Sequence, residues 1–150
     1  MPKKKTENSY FEGIGRRKSA IARVRLYLID AKVEKTVDKV KVKKGDFIIN
    51  QKEVSDYFPA DYQKVFYEKS LSLTNSLDRF AIVVKVNGGG KEGQLDAVSL
   101  GISRAMLKVD DATRLVLKKE GLLTRDARVR ERRKVGTGGR ARRKKQSPKR

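Results

Sequence analysis

The uneven distribution of charge along the chain most constrains how it can fold. Of its 150 residues, 38 are Lys or Arg and 18 are Asp or Glu. Residues 124–150 carry 13 basic and 2 acidic side chains, and their only apolar side chains are Ala127, Val129, Val135 and Ala141. Such a segment buries too little apolar surface to offset its loss of chain entropy. We therefore expect an extended basic tail over residues 124–150 that binds a polyanion, with the core built from the residues before it.

The remainder of the chain divides into a basic start and a nearly balanced middle. Residues 1–25 carry 8 basic and 2 acidic side chains, whereas residues 26–123 carry 17 and 14. This predicts a flexible basic N-terminus over residues 1–9 and one globular domain over residues 10–123. The chain has no Cys and no His, which excludes disulfides, thiolate nucleophiles, zinc sites built from these residues and His-based acid–base catalysis. We expect a protein that is not an enzyme and that needs neither metal nor cofactor.

The sequence contains no recognisable targeting or membrane segment. The basic residues at positions 3–5 are followed by no apolar region, and no run of about 18 apolar residues occurs. We expect a cytoplasmic protein with no membrane partner.

Two segments with alternating apolar residues predict β-strands. Residues 19–29 have one apolar and one partly basic face, and residues 79–87 are rich in β-branched residues, as expected of a central strand. The side chains predicted to point inward are Ala22, Val24, Leu26 and Leu28 in the first strand, and Phe80, Ile82, Val84 and Val86 in the second. Tyr27 is predicted on the outer face. A short strand is expected at residues 47–49, and a hairpin extension at residues 32–44.

Helical spacing of apolar residues predicts the helices. Residues 54–71 suit two short helices broken near Pro59. Their predicted core or packing residues are Val54, Tyr57, Phe58, Tyr62, Val65 and Phe66. A last helix is predicted to begin near residues 110–111 and to end at Gly121. Its predicted inward residues are Leu115, Val116 and Leu117.

Between these helices, residues 94–109 predict a longer helix with two stripes. The apolar stripe consists of Val98, Ile102, Met106 and Val109. The second stripe has a small residue at every fourth position: Gly93, Ala97, Gly101 and Ala105. Small residues let another element approach the helix backbone closely, and packing on a sheet is the simplest reason for them.

The glycine-rich turn at residues 88–93 has two interpretations. Gly88, Gly90 and Gly93 match the G-x-G-x-x-G pattern of dinucleotide sites, between a strand and a helix. However, too few residues follow for the repeated βαβ units of such a fold, and Asp110 ends a helix where an acidic residue after a second strand is required. A Walker-type loop also fails, because Gln94 follows the last glycine. The backbone N–H groups and Lys91 are still suited to binding an RNA phosphate.

Residues 13–19 form a basic cluster near the start of the globular domain. Three consecutive cations stand between a glycine pair and Ser19, and glycines allow close approach of a backbone to adjacent phosphates. The alternative is a solvated basic turn or a strand end protected against aggregation. Arg23 and Arg25 extend the basic surface along the outer strand face, which favours nucleic-acid binding.

Three motifs occur in order along the chain: GIGRRKSAIARVRLY at residues 13–27, GGGKEGQLDAVSLGISRAML at 88–107 and LLTRDARVRERRKVGTGGRARRKK at 122–145. In this combination the chain resembles, from Tyr10 onward, the family of the ninth protein of the small ribosomal subunit, bacterial type. The resemblance implies an α+β fold: a two-layer α/β sandwich like the second domain of the fifth small-subunit protein, with a left-handed βαβ crossover.

The resemblance also implies the partners. The protein is expected to bind small-subunit ribosomal RNA in the head of the subunit, next to other head proteins, and its tail is expected to contact the anticodon stem-loop of P-site tRNA. The tRNA contact falls on Lys149 and Arg150. The residues expected to bind ribosomal RNA are Arg16, Arg17, Lys18, Ser19, Arg23, Arg25, Gly89, Gly90, Lys91, Gln94, Arg125, Arg128, Arg130, Arg132, Arg133, Lys134, Arg140, Arg142, Arg143, Lys144 and Lys145.

The sequence departs from the family in two places. Residues 32–44 are longer than the turn expected there. At residues 146–148 the family has an aromatic residue, and this chain has Gln-Ser-Pro instead, so any stacking by that ring is absent. Two other classes stay open from the residues alone: a basic architectural or membrane-surface protein, and a nucleotide-dependent enzyme.

Overall fold

The computed structural model describes residues 10–30, 33–38, 40–133 and 135–136. In this part of the chain the strands are β1 (Tyr10–Arg17), β2 (Ala20–Tyr27), β3 (Lys35–Val37), β4 (Val40–Val42), β5 (Phe47–Ile49), β6 (Lys52–Glu53) and β7 (Ala81–Asn87). The helices are α1 (Val54–Tyr57), α2 (Asp61–Leu73), α3 (Lys91–Val109) and α4 (Thr113–Lys119). None of these helices is long and apolar enough to cross a membrane.

The main sheet is mixed and has the strand order β1-β2-β7-β5-β6. β1, β2 and β7 are antiparallel neighbours, with Val24 opposite Val84 in the register of β2 and β7. β5 runs parallel to β7, and the connection between them passes through α1 and α2. The predicted central strand is therefore confirmed as β7, and the fold is α+β, compatible with the expected sandwich.

The larger core lies between this sheet and the helices. The inward alternation predicted for β2 and β7 holds through Leu26 and Val86, because these side chains are almost fully buried against α3. Phe58, Tyr67 and Leu71 complete the core from α2 and the residue that follows α1. Burial of this apolar surface is the main driving force for folding.

A second apolar cluster lies on the other face of the sheet. The two-stranded sheet of β3 and β4, inside the segment predicted as an extension, covers Tyr27, Ala81 and Val83. The inward position predicted for Leu28 is wrong, since Leu28 is exposed and Tyr27 is buried instead. Leu28 is exposed because β2 ends at Tyr27, beyond which the alternation no longer applies. Tyr27 is buried because the sheet of β3 and β4 covers the predicted outer face at this point.

The close contact between β1 and α3 explains the small-residue stripe. A Cβ atom added at Gly15 would lie 1.8 Å from the Ala97 carbonyl oxygen, and one added at Gly13 would lie 2.2 Å from that of Gly101. Glycine is therefore required in β1 for packing against the helix, and the stripe packs on the sheet as its simplest interpretation predicted.

Several side chains predicted to be buried are exposed. Tyr62, Val65 and Phe66 lie on the outer face of α2, whose inner face instead buries Gln63, Tyr67, Ser70 and Leu71. Apolar side chains occur on both faces of α2, so spacing alone could not identify the inner one. In α4, Leu117 is buried, whereas Leu115 and Val116 are exposed. The predicted end of this helix is confirmed, because Gly121 has φ +71° and its N–H donates to the Lys118 carbonyl.

Candidate nucleic-acid interface

The fold brings the two basic segments of the sequence together. The end of β1, the turn that follows it and the start of the tail line one open cleft of about 540 Å³, formed by Arg17, Lys18, Arg128, Val129 and Arg130. Lys18 and Ser19 are exposed in a two-residue turn, where Lys18 has φ +50°. The cleft is thus lined by four cations and one apolar side chain.

Arg17 joins the tail to the globular domain. Its Nε atom lies 3.1 Å from Asp96 Oδ2 and its Nη1 atom lies 2.8 Å from Asp126 Oδ1. Nη1 also donates to the Arg128 carbonyl oxygen at 3.2 Å, and the side chain is only 12% exposed. Arg17 therefore fixes the direction in which the chain leaves the domain, whereas the neighbouring Arg16 and Lys18 are exposed to solvent.

Asp126 is held by the tail itself as well as by Arg17. Its carboxylate accepts hydrogen bonds from the Arg128 Nε, Nη2 and backbone N–H groups. These bonds, the side-chain ones first, lower the pKa of Asp126 well below its ordinary value, because they favour the ionised form. The Arg128 side chain is still 83% exposed, so its positive charge faces the cleft.

The arginines of β2 differ in how accessible they are. Glu12 lies 3.6 Å from Arg23 Nε and 3.3 Å from Arg25 Nε. Arg25 is also within 3.7 Å of Asp38 and stacks over the Tyr10 ring, and its side chain is only 20% exposed. About half of the Arg23 side chain is exposed, so this residue contributes more to the outer basic surface.

The glycine turn packs directly against the turn between β1 and β2. Gly88 and Gly89 have positive φ, and a Cβ atom at Gly88 would lie 2.5 Å from the Ser19 carbonyl oxygen. The two turns thus form one surface at the same end of the sheet. Gly90, which precedes α3, is exposed, and a Cβ atom added there would meet no atom within 4 Å, so its backbone is open to a ligand.

Lys91 and Gln94 make contacts within the domain. Lys91 Nζ donates to the Tyr57 carbonyl oxygen at 3.1 Å and lies 3.6 Å from the centre of the Tyr57 ring. Gln94 accepts a hydrogen bond from the Tyr57 hydroxyl at 2.8 Å and donates one to the Gly88 carbonyl at 3.0 Å. Both side chains therefore hold the glycine turn against α1.

The other candidate residues lie along the tail. Arg125, Arg130 and Arg132 are exposed, and Arg133 is half-buried. The predicted residues that lie outside the described part of the chain are Lys134, Arg140, Arg142, Arg143, Lys144, Lys145, Lys149 and Arg150. The sequence interpretation missed the roles of Asp96 and Asp126, although an acidic residue within so basic a segment as 124–150 was a signal for an internal ion pair.

The described residues offer little chemistry beyond charge and hydrogen bonding. No group of three or more acidic side chains among them could hold a metal ion. What they present is a small α+β domain with a cation-lined cleft at one end of its sheet, from which a basic segment leaves in a fixed direction. Such features are typical of proteins that bind a nucleic-acid backbone.

Comparison with known families identifies this class more closely. The model of the family described as Ribosomal protein S9/S16 matches residues 15–150, and the chain belongs to this family. It is therefore a structural protein of the small ribosomal subunit, from a family that is generally non-enzymatic. Family membership also implies ribosomal RNA and other ribosomal proteins as partners.

Proposed function

We propose that this protein stabilises folded ribosomal RNA in the head of the small subunit by neutralising its phosphates. Residues 10–123 act as a platform, and residues 124–150 act as an arm that binds the RNA. The observation that carries the proposal is the convergence of both basic segments on one cleft. The last aromatic residue of the chain is Phe80, so the arm binds phosphates and RNA shape without stacking bases on rings.

The proposed RNA-binding residues fall into two groups. Arg16, Lys18, Arg128 and Arg130 present exposed cations at or beside the cleft, and the glycine turn adds exposed backbone next to Ser19. We include the cations after residue 133 among the proposed phosphate-binding residues. Arg17 and Arg25 support RNA binding indirectly, because their guanidinium groups are held by carboxylates and are largely buried. Arg128 is also paired with Asp126, but its side chain is exposed.

We infer a second contact at the end of the arm. Lys149 and Arg150 bind the anticodon stem-loop of P-site tRNA, as the family resemblance implies. The retention of both cations supports this role, and Pro148 restricts the backbone that leads to them. Deleting Lys149 and Arg150 is expected to leave subunit assembly intact and to weaken retention of P-site tRNA. Normal tRNA retention by subunits that carry the deletion would contradict this role.

We also infer that β5, α2 and β7 form the left-handed crossover expected of the family. The parallel pairing of β5 with β7 and the helical connection between them support this assignment. An experimental structure with a right-handed connection would contradict it.

The salt dependence of RNA binding tests the main proposal. The double variant Lys18→Gln/Arg130→Gln removes two cations of the cleft, and each phosphate contact contributes about 0.7–0.9 to the slope of log K against log salt concentration. The slope for deproteinised small-subunit RNA is therefore expected to decrease in magnitude by about 1.4–1.8. Removing residues 124–150 is expected to decrease it much further.

A matched control removes the same charge elsewhere. Lys64 and Lys118 are exposed on α2 and α4, and Lys64→Gln/Lys118→Gln is expected to leave the slope unchanged. Equal slopes for the cleft variant and this control would show that the cleft does not bind phosphates. An unchanged slope after removal of residues 124–150 would show that the arm is not the main contact.

A further inference from the structure

The outer face of α2 carries a stripe of apolar side chains that the described part of the domain leaves exposed. Tyr62, Val65, Phe66 and Leu73 are 56%, 70%, 49% and 38% exposed, and they follow one another at helical spacing. The opposite face of the same helix supplies Tyr67 and Leu71 to the core. An exposed apolar stripe of this kind marks a surface where another molecule binds. We refer to these four side chains and Lys69, which lies in the same row, as the α2 stripe.

The charges around the α2 stripe are unsuited to RNA. The Tyr62 hydroxyl donates to Glu92 Oε1 at 2.6 Å, and Lys69 Nζ lies 3.0 Å from Glu120 Oε2. Asp61 is exposed at the start of the helix. Arg16, Arg17, Asp96 and Asp126 line one pocket with Phe66 and Lys69. The charged groups beside the stripe are therefore five carboxylates and three cations. Residues 53–78 carry five acidic and two basic side chains within a chain whose net charge is +20. The excess of carboxylates over cations favours a basic partner over phosphate at this surface.

On one side the α2 stripe borders the basic surface, because Phe66 and Lys69 line a pocket of about 330 Å³ together with Arg16 and Arg17. α2 packs on α3, and α3 packs on the inner face of β1 and β2. Arg23 and Ile21 point from β2 to the outer face of the sheet, where Ile21 is exposed opposite Arg16 of β1. Tyr62, Val65 and Leu73 do not line that pocket, so a molecule bound over these three side chains leaves the outer face of the sheet free.

We propose that the α2 stripe binds a lysine- and arginine-rich segment of another protein of the small subunit. The proposal rests on the function proposed above, because it assumes that the protein is incorporated into the subunit. Long basic side chains suit this surface: their aliphatic parts pack on Val65 and Leu73 while their charges reach the surrounding carboxylates. The aromatic faces of Tyr62 and Phe66 add cation–π contacts. Charge complementarity thus favours a basic protein over RNA.

Single cysteines test where each partner lies, because the chain has no natural Cys. Val65→Cys places a thiol in the α2 stripe, and Ile21→Cys is the control on the sheet face. Both positions are exposed, so neither change disturbs the core. The rate of alkylation by a maleimide is measured for the free full-length chain, for its complex with deproteinised small-subunit RNA and for assembled small subunits. Leu73→Cys provides a second thiol in the stripe if the Val65 variant folds poorly.

The thiol at position 65 is expected to react equally fast in the free chain and in the RNA complex. In assembled subunits the same thiol is expected to react about tenfold more slowly, because a partner that covers it about nine-tenths of the time leaves it accessible for only about one-tenth. The thiol at position 21 is expected to be protected by RNA alone. Protection of position 65 by RNA alone, or full reactivity in the subunit, would overturn the proposal. Failure of RNA to protect position 21, with no incorporation into subunits, would instead contradict the proposed function.

Carbodiimide crosslinking tests the chemistry of the partner. The reagent couples a carboxylate to a nearby lysine amine, so assembled subunits are expected to yield a peptide that joins Asp61 or Glu92 to a lysine of a different ribosomal protein. Asp61→Asn/Glu92→Gln is expected to abolish this product. A link to a second copy of this chain, or no such link while position 65 is protected, would overturn the assignment of a basic partner.

Discussion

Replacing Gly15 with Ala tests whether the close contact of β1 with α3 controls stability. The new Cβ atom would lie 1.8 Å from the Ala97 carbonyl oxygen and 2.6 Å from the Gly101 nitrogen, whereas ordinary contact begins at 3.4 Å. Both neighbours are backbone atoms, so neither can rotate away. The helix must therefore move off the sheet, and a gap of even about 0.5–1 Å forfeits a quarter to a half of the packing energy of the contacts it opens.

The expected loss can be worked out from this geometry. Overpacking of a core costs about 1–3 kcal/mol, and contact with rigid backbone on two sides of Gly15 places it at about 3 kcal/mol. Ala also lowers the entropy of the unfolded chain relative to Gly, which offsets about 0.4–1 kcal/mol of this loss of stability. A net loss of at least about 2 kcal/mol corresponds to a decrease in Tm of about 4–8 °C for a chain of this size.

Gly93→Ala is the matched control for this change. Gly93 belongs to the same stripe of α3, but a Cβ atom there would lie 3.6 Å from the Arg17 carbonyl oxygen, which is ordinary contact. Ala within a helix is more stable than Gly by about 0.5–1 kcal/mol, so this variant is expected to gain stability. Urea unfolding of the full-length chain, followed by circular dichroism, gives both values. Equal unfolding midpoints for the two variants would refute the packing argument.

Three further predictions concern buried polarity, the base of the tail and pH. Ser70 Oγ and Ser103 Oγ lie 2.7 Å apart and are fully buried. Ser103→Ala is expected to lower the free energy of unfolding, measured with urea, by about 1–3 kcal/mol, because it leaves the Ser70 hydroxyl unpaired. Adding Ser70→Ala is expected to recover part of this loss, because no unpaired hydroxyl then remains. Arg17→Met is expected to speed tryptic cleavage of the tail without changing the salt slope of RNA binding; a reduced slope would show that Arg17 contacts phosphate. RNA affinity at constant ionic strength is expected to vary little between about pH 5 and about pH 8, because the chain has no His. The lowered pKa of Asp126 keeps its carboxylate ionised over that range, and its contacts are lost only as the pH falls through this lowered pKa. A marked change in RNA affinity above about pH 5 would contradict this prediction.

The strands with regular alternation could be predicted from the sequence, and the exposed helix faces could not. The predicted ends of β2 and β7 agree with the structure to within two residues, because alternation is a local property of the chain. β1 was not recognised as a strand, since the glycines at positions 13 and 15 interrupt its apolar pattern. These glycines are required there because α3 packs directly against the backbone of β1. The inner face of α2 was also missed, because the helix carries apolar side chains on its exposed outer face as well.

The candidate interface was predicted in composition but not in arrangement. The cations of residues 16–18 and of the tail were evident from charge alone. The pairing of Arg17 with Asp96 spans 79 positions of the sequence. No local pattern reports such a contact, and the same holds for the packing of Gly88 against the Ser19 carbonyl.

The fold decides which cations are available for RNA. Within the globular domain, Arg17 and Arg25 are each placed beside two carboxylates, and Lys85 lies 2.9 Å from Asp38. These cations already have protein partners, so they release few counterions when RNA binds and contribute little to the salt slope. Lys18 and Arg130 have no such partner among the ion pairs of the described residues, and they lie on the cleft where the tail leaves the domain. The salt slope therefore depends on the exposed cations that contact RNA. For this reason Lys18→Gln/Arg130→Gln at the cleft is expected to reduce the slope, whereas Lys64→Gln/Lys118→Gln on the helices is not.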